Sequence, residues 1–77
     1  MAVDEARLRR AVMAGLRLAE RDYRPDLKLG DLEQWDSLGH LELVAAIEAE
    51  FGIAFDMDQI PDLVSLAAIR ARLQSRL

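Results

Sequence analysis

An apolar segment of helical length lies in the middle of the chain, from residue 37 to residue 51, and it limits the possible folds more than any other part of the sequence. Asp36 or Ser37 can begin a helix there, and Gly52 supplies the stop that glycine commonly provides. On a helical wheel, well over half of the circumference is covered by Leu41, Leu43, Val44, Ala45, Ile47 and Phe51. A helix this apolar needs neighbours on more than one side, so we expect it at the centre of a bundle.

A first helix is predicted from about Asp4 to about Arg21, because Asp4 is a suitable N-cap and apolar residues recur at helical spacing after it. A long connection follows between residues 24 and 35, where Pro25 and Gly30 oppose regular structure. Its apolar residues are unevenly spaced, namely Leu27, Leu29, Leu32 and Trp35. We interpret them as side chains that pin the loop across the helices, and we expect no strand.

Two further helices are predicted after Gly52. Asp56 can cap a short turn of helix through Met57 and Ile60, and Pro61 ends it. Ser65 can cap a last helix, whose inward residues are Leu66, Ile69 and Leu73. The predicted fold class is therefore all-α, a bundle of three main helices and one short helix. Residues 1–77 are expected to form a single domain with a long loop between the first and second helices.

The length of the chain limits its function. A domain of 77 residues buries only roughly 60–65% of its unfolded surface, so a substrate pocket with a catalytic apparatus is hard to build and we expect no enzyme. Cysteine is absent, which excludes disulfides and thiolate metal sites. The chain shows no secretory signal pattern and no apolar run near the roughly 20 residues that cross a bilayer. We expect a cytoplasmic protein with no membrane partner.

Acidic residues are concentrated in the middle of the chain. The segment between residues 29 and 69 holds nine acids and no lysine or arginine, whereas the flanks hold the other five acids and all ten basic residues. The formal charge of this central segment is therefore −9 and that of the two flanks together is +5, which gives the chain a net charge of −4. This segment is either a solvated surface or a docking face for basic patches on partner proteins. Nucleic acid is not an expected partner, because its phosphates would be repelled.

Ser37 is the residue most suited to carry chemistry, because it lies where the loop turns into the central helix. It has two interpretations. It can be a simple helix N-cap. Alternatively, its hydroxyl can bear a phosphodiester, which the free N–H groups and positive dipole end of a helix N-terminus would favour. Local physics does not separate them, since both predict the same serine.

The sequence gives little support to two other kinds of site. Ser37 and His40 could form a nucleophilic pair, but no glycine-rich oxyanion loop accompanies them, and a surface histidine beside a docking face is the better interpretation. The segments Asp31-Leu32-Glu33 and Asp56-Met57-Asp58 lack the ligand spacing of a calcium loop. No catalytic residue and no metal site are predicted.

Asp36-Ser37-Leu38 opens an amphipathic helix that ends Glu48-Ala49-Glu50-Phe51-Gly52-Ile53, and the start of the last helix follows at Ser65. This pattern resembles the acyl carrier and peptidyl carrier protein family. The resemblance extends over about residues 31 to 74, and the first helix matches the family only in its position along the chain. The sequence around Ser37, Trp-Asp-Ser-Leu-Gly-His-Leu, looks more like that of stand-alone carriers of specialised pathways than that of the fatty-acid carrier protein.

The resemblance implies a four-helix carrier domain with 4′-phosphopantetheine covalently attached to Ser37, flanked by the matching neighbours Asp36 and Leu38. A separate phosphopantetheinyl transferase would attach the arm from coenzyme A with magnesium. The other implied partners are an acyl- or aminoacyl-loading ligase and downstream synthase or transferase enzymes, and the carrier is expected to be a monomer. Partner docking is expected at Gly39, His40, Glu42, Glu48 and Glu50.

The cargo is left open. The chain can carry acyl intermediates of a fatty-acid, polyketide or other specialised pathway, or it can be an aminoacyl or peptidyl carrier. A third possibility is a helical adaptor without a prosthetic group that docks through its acidic central helix. An acyl chain could be sheltered in a slot lined by Val44, Ile47, Ile60, Leu66 and Ile69, although these residues also suit an ordinary core.

Overall fold

The computed structural model describes residues 3–76, and within this range the protein has three α-helices and no β-strand. Helix α1 is Glu5–Leu16, α2 is Ser37–Phe51 and α3 is Leu66–Arg76. One continuous hydrophobic core joins the three helices and the loop that precedes α2. The predicted all-α bundle with three main helices is confirmed.

The short fourth helix is not confirmed. In its place the chain makes a turn, in which the Gln59 N–H donates to the Asp56 carbonyl (2.9 Å), followed by a 3₁₀ turn at Ile60–Asp62. Pro61 lies inside this second turn, where it has no N–H to donate and its ring obstructs an α-helical path. The connection between α2 and α3 is therefore irregular where a helix was expected.

Helix α1 begins as predicted but ends more than one turn early. Asp4 is its N-cap, and the carboxylate accepts from two backbone N–H groups of the first turn (3.1 and 3.3 Å). The helix ends at Leu16 and not near Arg21, because Arg17 adopts the left-handed conformation with φ 52°. That conformation costs about 1–2 kcal/mol for a residue other than glycine. The burial of Leu18, which follows it, offsets this cost with about 1.5–3 kcal/mol.

Helix α2 has the predicted bounds but is less enclosed than expected. It ends at Gly52, whose φ of 66° is the left-handed conformation that glycine adopts readily. The face that includes Leu43 and Ile47 is fully buried, whereas Leu41 and Ala45 are exposed. The small bundle supplies neighbours for part of the apolar surface only, so one apolar strip of α2 is left in contact with solvent.

The long loop before α2 is pinned to the core and to the start of α3. Leu27 and Trp35 are buried, as predicted for these loop residues, while Leu29 is exposed. The Leu29 N–H donates to the Val64 carbonyl (2.8 Å), and the Leu66 N–H donates to the Leu27 carbonyl (2.9 Å). These two bonds hold the loop in place without forming a strand.

Helix α3 starts at the predicted cap. The Ser65 hydroxyl oxygen accepts from the Ala68 N–H (3.0 Å). The expected inward residues are all buried, namely Leu66, Ile69 and Leu73. Arg70 is half-buried and forms an ion pair with Glu5 (2.9 Å), which joins α3 to α1.

The orientation of α2 can be tested by a pair of alanine substitutions. Ile47→Ala is expected to lower the free energy of unfolding by about 2–4 kcal/mol, because it leaves a cavity in the core. Leu41→Ala is expected to change it by no more than about 0.5 kcal/mol, because the Leu41 side chain is mostly in solvent. Urea unfolding measures both values. Equal losses in the two variants would contradict this orientation.

Candidate functional site

The first turn of α2 is capped by Asp36 and not by Ser37. The Asp36 carboxylate accepts from the Gly39 N–H (2.8 Å), and the Asp36 carbonyl accepts from the His40 N–H (2.8 Å). Ser37 is the first residue of the helix proper. The interpretation of Ser37 as a helix N-cap is therefore wrong, and its hydroxyl is not needed to begin the helix.

The Ser37 hydroxyl is presented to solvent at the positive end of α2. Ser37 is exposed, and the hydrogen bonds among residues 3–76 include none from its hydroxyl. The N–H groups of Ser37 and Leu38 also have no acceptor within that range, as is usual in the first turn of a helix. A phosphate joined to this oxygen would lie beside unpaired donors and the helix dipole. The site therefore fits a phosphate-linked arm.

His40 lies three residues after Ser37 but is buried, with 7% of its surface exposed. The Trp35 indole N–H donates to His40 Nδ1 (3.1 Å), and His40 Nε2 lies 2.9 Å from the Ile60 carbonyl oxygen. The prediction of a surface histidine for partner docking is wrong. Both ring nitrogens are engaged by other residues, so His40 is not placed to act as a base for Ser37.

Gly39 is also buried, and its predicted role in docking is wrong. A Cβ atom at this position would overlap the Gln34 carbonyl oxygen and would lie 3.3 Å from a carboxylate oxygen of Asp36. The absence of a side chain lets the end of the loop pass against the first turn of α2. Gly39 is thus required by packing at the site, and it offers no surface to a partner.

Two of the three glutamates predicted for docking are engaged within the domain. The Glu48 carboxylate accepts from the Phe55 N–H (2.8 Å) and holds the chain after α2. The Glu50 carboxylate accepts from Arg7 (3.4 Å) and Arg10 (3.3 Å). Arg7 also donates to the Glu50 carbonyl at the end of α2. Glu48 and Glu50 are half-buried and contact their own chain, and a role for them in docking stays a prediction.

Glu42 remains on the surface of α2. Its side chain is 45% exposed and lies 3.6 Å from the guanidinium of Arg17, which is itself highly exposed. A contact of this kind between exposed charges contributes little and can be exchanged for a partner's cation. The charge separation seen along the chain is thus reduced in space, because arginines from α1 and its C-cap lie against the acids of α2.

Two exposed leucines follow Ser37 on α2, and the sequence did not identify them as surface residues. Leu38 is 67% exposed and Leu41 is 56% exposed. They are three residues apart on α2, so they share one face with Glu42 beside them. The only signal in the sequence was that the helix has more apolar residues than a small bundle can cover.

The residues suggested for an acyl slot belong to the core. Four of them are buried within the main hydrophobic cluster, and Ile60 packs against it from the side. A shallow cleft does exist between α1 and α2, but it is lined by other residues, among them Met13, Ala14, Ala46 and Ala49. No side-chain nitrogen or oxygen that is buried within residues 3–76 lacks a hydrogen-bond partner.

The part of the chain that the structure describes holds no group of three or more histidines or acidic residues arranged to bind a metal ion. In the same part, no helix is long and apolar enough to cross a membrane.

Comparison with protein-family models gives a match over residues 6–73, to the family described as phosphopantetheine attachment site. No curated protein and no solved structure matches the chain.

Proposed function

This chain belongs to the phosphopantetheine attachment site family, and from that premise we propose that it is a carrier protein whose Ser37 bears the arm. Domains of this family are the site of covalent 4′-phosphopantetheine attachment. The proposed role is to shuttle thioester-bound acyl intermediates between enzymes, with residues 1–77 acting as a single carrier domain. We place this role in the cytoplasm.

One observation carries the assignment to Ser37. Its hydroxyl is exposed at the first residue of α2, while Asp36 supplies the cap that the helix needs. The serine is therefore free to be modified without loss of the helix start. The other two serines support the choice by contrast, because Ser65 caps α3 and the Ser75 hydroxyl donates to the Arg72 carbonyl (2.8 Å).

Each residue of the first turn has a distinct part in the proposal. The Ser37 oxygen forms the phosphodiester, Asp36 holds the N–H groups of the turn in position, and Leu38 offers an apolar contact to the transferase. When attached, the arm supplies a terminal thiol that holds the cargo as a thioester. Since His40 is held by Trp35 and Ile60, the base that accepts the Ser37 proton is expected to come from the transferase.

The docking surface is proposed to be the exposed strip of α2 formed by Leu38, Leu41 and Glu42. Two solvated leucines beside the modified serine give a partner apolar surface to bury, and Glu42 gives it one weakly paired carboxylate. The alternative of an adaptor that docks through an acidic helix is less favoured, because the carboxylates of Glu48 and Glu50 already have partners within the domain.

This docking surface predicts a kinetic effect without a stability effect. Leu41→Ala is expected to raise the KM of the transferase for the carrier by about fivefold or more, the range of a useful interface residue. The matched control is Gln74→Ala, an exposed change on α3 that should leave KM unchanged. A KM that does not respond to Leu41→Ala would remove Leu41 from the docking surface.

The function is tested by modification of the purified chain. Incubation with coenzyme A, magnesium and a broad-specificity phosphopantetheinyl transferase is expected to add one phosphopantetheine to the intact protein, as seen by mass spectrometry. Proteolysis should place the added group on the peptide that contains Ser37. A protein that gains nothing would contradict the proposed function. Loading of the modified chain by acyl-activating and aminoacyl-activating ligases then distinguishes the two classes of cargo.

A further inference from the structure

His40 connects three separate segments at the site. Its imidazole accepts from Trp35 in the loop before α2, and its other ring nitrogen faces the Ile60 carbonyl in the connection before α3. Its backbone N–H donates to the Asp36 carbonyl (2.8 Å). The side chain and the backbone of one residue therefore hold the two residues that precede Ser37.

The hydrogen bonds allow a single tautomer of the neutral ring. The indole nitrogen of Trp35 can only donate, so His40 Nδ1 must be the acceptor. The proton of the neutral ring is then on Nε2, where it donates to the Ile60 carbonyl oxygen. The Trp35 and His40 rings also lie nearly parallel, with an interplanar angle of 17° and centroids 6.3 Å apart. The ring is thus fixed in both orientation and proton position.

We propose that His40 is a positioning residue for attachment at Ser37. The inference rests on the proposed function, since it concerns how Ser37 is offered to a transferase. An apolar residue at position 40 would leave the buried Trp35 N–H and Ile60 carbonyl without partners, which is unfavourable. The segment from Trp35 to Ser37 would then spend only part of its time in the arrangement that a transferase binds.

This loss has a kinetic signature. When only a fraction of the carrier is competent to bind, the apparent affinity falls by that fraction while the bound complex reacts as before. The KM of the transferase should therefore rise while kcat stays nearly constant. For His40→Leu we expect a rise in KM of about tenfold. This is the rise expected if the loss of the bonds to Trp35 and Ile60 leaves about a tenth of the carrier in the arrangement that the transferase binds.

Two conservative substitutions separate the two bonds of the imidazole. His40→Asn keeps an acceptor near the position of Nδ1 and should retain the bond from Trp35. His40→Gln keeps a donor near the position of Nε2 and should retain the bond to Ile60. Each variant is expected to have a KM between those of the wild type and His40→Leu. Leu73→Ala, a core change on α3 away from the site, controls for general loss of stability and should leave KM unchanged.

Two measurements on the full chain test the proposal. Long-range ¹H–¹⁵N spectra of the unmodified protein near neutral pH should show His40 protonated at Nε2 and unprotonated at Nδ1. A ring protonated at Nδ1, or one exchanging between tautomers, would overturn the inference whether or not Ser37 is modified. Transferase kinetics supply the second measurement, and a folded His40→Leu variant with the KM of the wild type would overturn it too.

The outcome remains interpretable if His40→Leu does not fold. Trp35→Phe keeps an aromatic ring in the core but removes the indole donor together with part of the buried ring volume. It should give a smaller rise in KM than His40→Leu, and an unchanged KM in that variant counts against the inference. A wild-type protein that no transferase modifies would contradict the proposed function, and the tautomer measurement would then decide the structural part alone.

Discussion

Ser37→Ala is expected to abolish phosphopantetheine attachment while leaving the fold intact. The side chain of Ser37 is exposed, and the N-cap of α2 is the preceding residue, Asp36. Alanine is the best helix former, so the free energy of unfolding should change by no more than about 0.5 kcal/mol. Mass spectrometry after incubation with coenzyme A, magnesium and a transferase should show no gain in mass. Circular dichroism should show the spectrum and the Tm of the unmodified protein within about 4 °C.

Ser75→Ala is the matched control, because Ser75 is an exposed serine whose removal leaves Ser37 in place. It should accept one phosphopantetheine at the rate of the wild type. If the Ser37→Ala protein still gained one arm, attachment would have to occur elsewhere, and the assignment of the site would fail. If Ser37→Ala unfolded the protein, the view that Asp36 alone begins α2 would fail.

Trp35→Ala is expected to have the largest effect on stability, a loss of about 3–5 kcal/mol in the free energy of unfolding. Trp35 is 1% exposed and lies in the loop, where its indole fills the core and donates to His40. A domain of this size is stable by only about 4–12 kcal/mol in total. The substitution therefore removes a large share of that stability, which urea unfolding at constant temperature measures.

Leu29→Ala tests whether the effect belongs to Trp35 or to the loop in general. Leu29 is an apolar residue of the same loop but is 42% exposed, so its truncation should cost no more than about 1 kcal/mol. A loss below about 1 kcal/mol for Trp35→Ala as well would contradict the view that a buried side chain pins this loop to the bundle.

Much of the fold was predictable because its signals are local. Asp4 and Ser65 cap their helices through their own side chains, and Gly52 ends α2 through its own backbone conformation. Such signals involve residues within four positions of each other, so they can be read directly from the chain. The end of α1 was misjudged, because the left-handed turn at Arg17 depends on where Leu18 is buried.

The surroundings of the predicted docking residues were not evident from the sequence, because they come from distant parts of the chain. Glu50 is 43 residues from Arg7 and 40 residues from Arg10, yet these side chains bind it. The burial of His40 is not evident from the sequence, because its partner Ile60 lies 20 residues away. Leu41 and Ile47 are equally apolar in the sequence, and only the packing decides that Ile47 is buried and Leu41 is exposed.

Residue type and short spacing were enough to predict the three main helices, the caps at Asp4 and Ser65, the family resemblance and the choice of Ser37. The packing of the helices was needed to establish which face of α2 meets solvent and that His40, Glu48 and Glu50 make contacts within the domain. Spacing along the chain does not supply this information, because burial and charge pairing depend on which elements lie next to each other. A helix with apolar residues around most of its circumference does not by itself specify on which side its neighbours will be.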